Sequence, residues 1–346
     1  MVRRSLVALA TIGLAALVTA IGRPAESLPR RDLEWSHHVQ AWAASGSGIV
    51  FLRWYVPPRV DATWAFGVAV AGAEGSTRRG LIWMPSESGG VETTVSSDGR
   101  RIAFTGAETP DRNAPRDPFD ISVVNTDGSG LRNLTKTEEE IETAPRWEPN
   151  GDTLTFERSG AIFLVDLRGG TPVQLAQGRG AHWSPDGQRI AFTRGRGRTA
   201  AVFSISRDGT KLQRLTPADG SAVSGWSPDG NRLLVERLPA SARASVWLMN
   251  ADGSQRRRLA AGRWARWSPT GSRIAFTRGP SELEGDSERA SLFAVGIRGG
   301  RALSLGPVVG DGYAWAPDGC GSPSRATDPV CEPASTSSIS AHEAGA

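Results

Sequence analysis

Four times along the chain an arginine precedes three consecutive apolar residues: Ile-Ala-Phe at 102–104, 190–192 and 274–276, and Leu-Leu-Val at 233–235. Strict alternation would signal a strand with one wet face. An unbroken triplet bounded by turn residues suits a short strand covered on both faces. Each triplet follows a cluster drawn from Ser, Pro, Asp, Thr and Gly, and three of the four clusters follow a tryptophan. The predicted local unit is therefore strand, tight reversal, strand. Pro sets φ at the first corner, Asp bonds the local backbone and Gly takes the left-handed position.

The unit recurs. Aligned on the tryptophan, the copies are WEPNGDTLTFER from 147, WSPDGQRIAFTR from 183, WSPDGNRLLVER from 226 and WSPTGSRIAFTR from 267. Weaker copies are WAASGSGIVFLR from 42 and VSSDGRRIAFTG from 95, and a final fragment, WAPDG, starts at 315. Six periods of about 45 residues separate Trp42 from Trp315, a spacing that marks a repeat architecture. A second marker lies downstream in each unit, as in SVVNTDGSGLRNLT (122–135), FSISRDGTKLQRLT (203–216) and WLMNADGSQRRRLA (247–260). Here Asp-Gly splits two further strands, a hairpin signal.

Each unit thus holds four short antiparallel strands, A to D. The predicted fold is all-β, a β-propeller of six such blades, with seven possible because the 315 fragment either closes a blade with N-terminal strands or begins another. The Trp-Ser-Pro-Asp-Gly and Ile-Ala-Phe markers resemble those of the TolB-type, WD40-like β-propellers, over about 42–319. The resemblance implies a propeller without the N-terminal domain of the Tol-Pal protein, since the repeats begin at Trp42. Similar repeats occur beside hydrolase domains in prolyl-oligopeptidase-like enzymes. Propeller lyases resemble the architecture too but rely on several histidines around a metal, and this chain has four in all.

The flanks add a location. Residues 1–21 pair Arg3 and Arg4 with an uncharged apolar run, the layout of a signal peptide or an N-terminal anchor. A linker is expected over 22–41. The two cysteines, Cys320 and Cys331, are expected to pair in an oxidising compartment, contributing ~3 kcal/mol by loop-closure entropy, with a disordered tail to 346. The chain is read as secreted, periplasmic or cell-surface, with a membrane contact only through an uncleaved N-terminal segment, and as a monomer.

The net charge of +4 invites a polyanion reading. Only Lys136 and Lys211 are lysine, however, and a chain-wide arginine bias does not make a patch. Arg194-Gly-Arg-Gly-Arg198 reads as an exposed turn, and Arg256-Arg257-Arg258 as charge on an outer strand that discourages edge pairing. No nucleic-acid partner is expected. The recurring tryptophans read as packing between blades, and the Asp-Gly pairs at 127, 208 and 252 as turns, because none has the spacing of a calcium loop. No Gly-x-Ser-x-Gly elbow and no His or Cys ligand spacing occurs, so neither catalytic residue, metal nor cofactor is assigned.

Loop length carries the functional expectation. The long insertions lie between strands B and C, at 54–62, 106–118 and 279–291, and the 135–144 connector leads to the same face. Long loops on a rigid scaffold are where binding resides. That face is expected to recognise a protein, peptide or glycan of the cell envelope, flanked by Glu138, Glu139, Glu140, Glu282, Glu284 and Asp286. Arg146, His182 and Arg266, each one residue before a marker tryptophan, share one orientation and are expected to form a cationic rim at the channel mouth. The competing reading for these three is hydrogen bonding between blades. The competing function is a hydrolase or lyase at that mouth, which calls for two titratable groups with separated pKa values.

Overall fold

The computed structural model describes the strands at 35–42, 48–55, 65–72 and 78–85, then residues 92–106, 119–137, 140–149, 151–168, 170–238, 244–279, 290–308 and Trp315. Among the described residues, twenty-four strands form six four-stranded antiparallel sheets, each a simple meander. Blade one contains β1 (Trp35–Trp42), β2 (Gly48–Tyr55), β3 (Ala65–Gly72) and β4 (Arg78–Pro85). Blade two contains β5 (Thr93–Val95), β6 (Arg101–Thr105), β7 (Ile121–Asn125) and β8 (Arg132–Asn133). Blade three contains β9 (Glu142–Trp147), β10 (Thr153–Arg158), β11 (Ala161–Asp166) and β12 (Val173–Gln177). Blade four contains β13 (Arg179–Trp183), β14 (Arg189–Arg194), β15 (Ala201–Ser206) and β16 (Gln213–Arg214). Blade five contains β17 (Ser221–Trp226), β18 (Arg232–Arg237), β19 (Ser245–Asn250) and β20 (Arg257–Ala261). Blade six contains β21 (Arg263–Trp267), β22 (Arg273–Arg278), β23 (Ala290–Gly296) and β24 (Leu303–Val308).

First strands pack on first strands in series, β1 on β5, then β9, β13, β17 and β21. They are therefore the inner strands. β1 begins at Trp35, inside the segment expected as linker. In every blade strand A precedes its marker, so a boundary drawn at Trp42 cuts that strand away.

The apolar triplets are the core. Ile102, Ala103, Phe104, Ile190, Ala191, Phe192, Leu233, Leu234 and Val235 are all 0% exposed, as a strand sandwiched between neighbouring blades requires. The marker turns explain themselves. Ser184 Oγ donates to Asp186 Oδ1 at 2.5 Å and accepts the Arg189 N–H at 2.9 Å, while Asp186 accepts the Gln188 N–H at 3.0 Å. Gly187 closes the reversal at φ 69°, where a side chain is strained. Ser96/Asp98 and Ser227/Asp229 repeat this, and the serine hydroxyl, then the backbone N–H, hold all three Asp carboxyls below their ordinary range. The Asp-Gly hairpins are likewise satisfied by themselves: Asp208 accepts the Thr210 N–H at 2.9 Å and Asp252 the Ser254 N–H at 2.8 Å.

The tryptophans do wedge between blades. Trp147, Trp183 and Trp226 are buried, and Trp267 partly so. Trp147 Nε1–H donates to Thr94 O of blade two at 3.1 Å, and Trp226 Nε1–H to His182 O of blade four at 2.9 Å. Trp315 Nε1–H donates to Arg266 O of blade six at 3.3 Å. It takes the seat that the next blade's marker takes in the earlier pairs. Among the described residues each of the six sheets has its four strands without it, and the rest of the 315 fragment lies outside the described residues.

The arginines have a structural use. In blade three Phe156 stacks on Phe163 at 5.5 Å, with the Arg158 guanidinium over both. Blade four repeats the arrangement with Phe192, Phe203 and Arg194, and blade six with Phe276, Phe293 and Arg278. Arg194, the first letter of RGRGR, is therefore scaffold, while Arg196 and Arg198 are exposed. Arg256 departs from the edge-strand reading. It precedes β20, lies over Trp247 and pairs with Asp219 at 2.7 Å. A guanidinium flanked by an indole and a carboxylate is held in place, not left as a solvated charge.

Candidate functional site

The inner strands supply the residues that line the centre. Cross-strand partners show that Arg146 (opposite Thr155), His182 (opposite Ala191) and Arg266 (opposite Ala275) occupy one register position, each half-buried. In blade five the same position is Gly225, opposite Leu234. This much agrees with the alternation argument.

Two features of the expected rim change. All three residues stand beside the turn between first and second strands, since Trp147 pairs with Leu154 just before that turn. The connector containing Glu138 and Glu139 enters β9 at its other end, where Glu142 faces Arg158. The segment containing Glu282, Glu284 and Asp286 leaves β22 after Arg278, again at that other end. Alternation fixes the face a side chain occupies but says nothing about which end of the strand it is on. A strand of five or six residues sets the two ends ~15 Å apart. The described strand ends from which the acidic segments depart are therefore opposite to the ends that carry the basic trio. Glu138, Glu139, Glu282, Glu284, Asp286 and the insertions themselves lie outside the described residues, as do Cys320 and Cys331. Glu140 is exposed and accepts a bond from Ser159 Oγ at 2.8 Å.

The second change is charge. Burial, then the neighbouring Arg146 guanidinium, push the His182 imidazole down to about 3, so it is neutral at ordinary pH and not part of a cationic rim. Arg146 itself donates to Pro145 O at 3.0 Å. Burial pushes the nearby Glu157 carboxyl up, against the Gly180 N–H bond that pulls it down, with Glu92 adding to the rise and Arg146 and Arg179 opposing it.

A carboxyl pushed up and an imidazole pushed down, both beside Arg146, match the pattern of an acid–base pair. The repeat explains Glu157 differently. Its Oε1 accepts the Gly180 N–H of the next blade's inner strand at 2.6 Å. Thr193, the same position in blade four, accepts the Val223 N–H at 3.1 Å. Glu236 in blade five accepts the Ala265 N–H at 2.7 Å and the Ser224 hydroxyl at 3.0 Å. In blades three, four and five the residue after the second-strand Phe or Val is a clamp on the following blade. Its signal in the sequence is one repeat position, in Phe-Thr-Arg, Phe-Glu-Arg and Val-Glu-Arg, which differing side chains disguise. Glu142 makes a further buried link, accepting the Ile121 N–H at 3.2 Å and pairing with Arg158.

Among the described residues no group of three or more His, Cys, Asp or Glu is arranged to hold a metal ion, and no helix is long and apolar enough to cross a membrane. The grouping that the chemistry isolates is the inner trio of Arg146, His182 and Gly225 near the first turn.

Comparison with known proteins agrees with this architecture. Tol-Pal system protein TolB of Anaeromyxobacter dehalogenans is 34% identical over 116 residues, 32% of this chain and 26% of that protein. The chain spans less than two thirds of the length of the curated relatives it matches. TolB from Acinetobacter baumannii superposes with a TM-score of 0.53 at 16% identity, over 87% of this chain and 69% of that one. An oligogalacturonate lyase in complex with manganese superposes with a TM-score of 0.60 at 14% identity, over 82% and 85% of the two chains. At such identities these likenesses establish the fold alone. A family model described as the TolB beta propeller domain matches residues 55–318, and the chain belongs to that family.

Proposed function

We propose that this chain is an extracytoplasmic, noncatalytic binding propeller that recognises a protein, peptide or glycan of the cell envelope. Recognition uses the end of the blades that bears the long second-to-third-strand segments. The observation that carries the reading is their placement. In blade three that connection is two residues, 159–160, whereas it runs through 56–64 in blade one, 106–120 in blade two and 279–289 in blade six. All six sheets share one meander, so these segments leave the blades at the same end. The signal-like residues 1–21 and the Tol-Pal name of a relative support an envelope location. Among the described blades, meanwhile, repeat carboxylates such as Asp186, Asp229, Glu157 and Glu236 are engaged in turns and clamps, which supports a scaffold over an enzyme.

The test is capture from envelope extracts of the native cell by the purified chain, compared with variants lacking 107–118 or 280–289. Loss of a reproducible captured component in the deletion variants, with unchanged thermal unfolding, is the expected result. Equal capture by the deletion variants would remove the reading.

A further inference from the structure

The four successive inner strands β9, β13, β17 and β21 present Arg146, His182, Gly225 and Arg266 at one level, and the third has no side chain. A Cβ placed on Gly225 would stand 3.9 Å from His182 Nδ1 and 4.0 Å from Trp267 Cδ1. The gap between imidazole and indole therefore admits one methyl-sized or oxygen-sized atom at van der Waals contact. Arg146 acts on the same imidazole from the preceding blade and makes no ion pair within 4 Å among the described residues. The carboxylate that feels Arg146, Glu157, is committed to the Gly180 amide.

We propose that the notch at Gly225, walled by His182 and Trp267 and with Arg146 at the same level of β9, binds an oxyanionic group, a carboxylate or a phosphate. One ligand oxygen enters the notch and accepts a hydrogen bond from a neutral His182 ring N–H. The guanidinium takes another through charge-assisted bonds, the stronger kind for planar oxyanions. Burial, then the like-signed field of Arg146, disfavour protonation of His182, and a bound anion offsets the second of these. This site is at the opposite end of the inner strands from the long segments, so it is separate from the recognition surface proposed above.

The experiment is a titration of the full chain, with labelled histidine, against acetate and separately against inorganic phosphate at constant ionic strength. The readouts are the His182 ring resonances and the calorimetric affinity. A saturable His182 shift is expected, with its pKa rising from about 3 on binding. Arg146→Gln weakens affinity at least about tenfold, Arg146→Lys weakens it less, and Arg196→Gln in the exposed turn leaves it unchanged. A response to acetate alone assigns a carboxylate, to phosphate alone a phosphate, and to both an unselective oxyanion site; each supports the proposal. Absence of a saturable shift with either anion, or equal affinity in wild type and Arg146→Gln, overturns it. Should Arg146→Gln fail to fold, a second variant decides: His182→Gln binding either anion as tightly as wild type overturns it as well. The loop deletions leave these strands intact, so anion binding retained while envelope capture is lost removes only the surface reading, and the reverse removes only this one.

Discussion

Blades three and four solve one packing problem with different chemistry. Both bury an aromatic pair under an arginine: Phe156, Phe163 and Arg158 in one, Phe192, Phe203 and Arg194 in the other. Both then reach across to the next blade's inner strand from the residue after the second-strand Phe. Blade three does so with a carboxylate, Glu157, and blade four with a hydroxyl, Thr193. The apolar part of the repeat is conserved between the two blades because area burial tolerates little change of shape at full burial. The polar clamp varies because a backbone N–H asks only for an acceptor, and a carboxylate and a hydroxyl both qualify. Repeat identity between these blades resides in the buried aromatic pair under its arginine, while titratable behaviour is local to a blade.

The comparison breaks if the two cores are not equivalent. Phe156→Ala and Phe192→Ala are each expected to cost about 3–5 kcal/mol of unfolding free energy, from lost burial plus a residual cavity. Chemical denaturation of the two variants should give values within about 1 kcal/mol of each other.

The clamps should differ more. Glu157→Ala orphans the Gly180 amide and removes a charge-assisted bond, an expected loss of about 2 kcal/mol, whereas Thr193→Ala loses about 1 kcal/mol. Equal losses by the same denaturation assay would show that the chemistry of the clamp is irrelevant.

Acidity gives a third contrast, with opposite signs in the two blades. His182 in blade four titrates near 3 when folded and near 6.5 when unfolded, so the unfolded state binds more protons between these values. Stability from this group rises as pH climbs through that window and is lost on acidification. Burial raises Glu157 in blade three above its ordinary value of 4.5, so the folded state holds a proton that the unfolded state has released, and stability from that group falls as pH climbs from there. Thermal midpoints measured from about pH 4 to about pH 7 should rise with pH less in His182→Gln than in wild type, and more in Glu157→Gln. Parallel profiles for all three proteins would contradict both assignments.

The smallest effect concerns the marker tryptophans. Trp226 Nε1 is bonded to His182 O, while Trp183 Nε1 is buried without a partner. Trp226→Phe should therefore cost about 1 kcal/mol more than Trp183→Phe, measured by the same unfolding curves.

Much of the fold could be read from the letters. The repeat, four strands per unit, the Ser-Pro-Asp-Gly reversal and the tryptophan wedge are all local patterns whose physics is satisfied within about a dozen residues or between identical neighbours. The candidate site was legible only by register. Arg146, His182 and Arg266 were correctly placed on equivalent positions because strand periodicity is local. Glu138, Glu139, Glu282 and Asp286, expected beside them, lie outside the described residues, and which end of a blade a position occupies follows from strand direction as well as face. Gly225 was missed altogether, since a residue without a side chain advertises nothing until its neighbours are known. Arg256 was misread as an edge charge because its partner, Asp219, is 37 residues away.

By itself, then, the order of residues determined the blade: turn chemistry, strand covering and period are properties of contiguous segments. Tertiary structure alone decided which atoms face one another across blades. It buried the His182 imidazole within the field of Arg146 and so made it neutral, committed Glu157 to a neighbour's amide, seated Trp315 on blade six and left the notch at Gly225. Each of these depends on desolvation and on distances between segments dozens of residues apart, and those quantities exist only once the sheets are stacked.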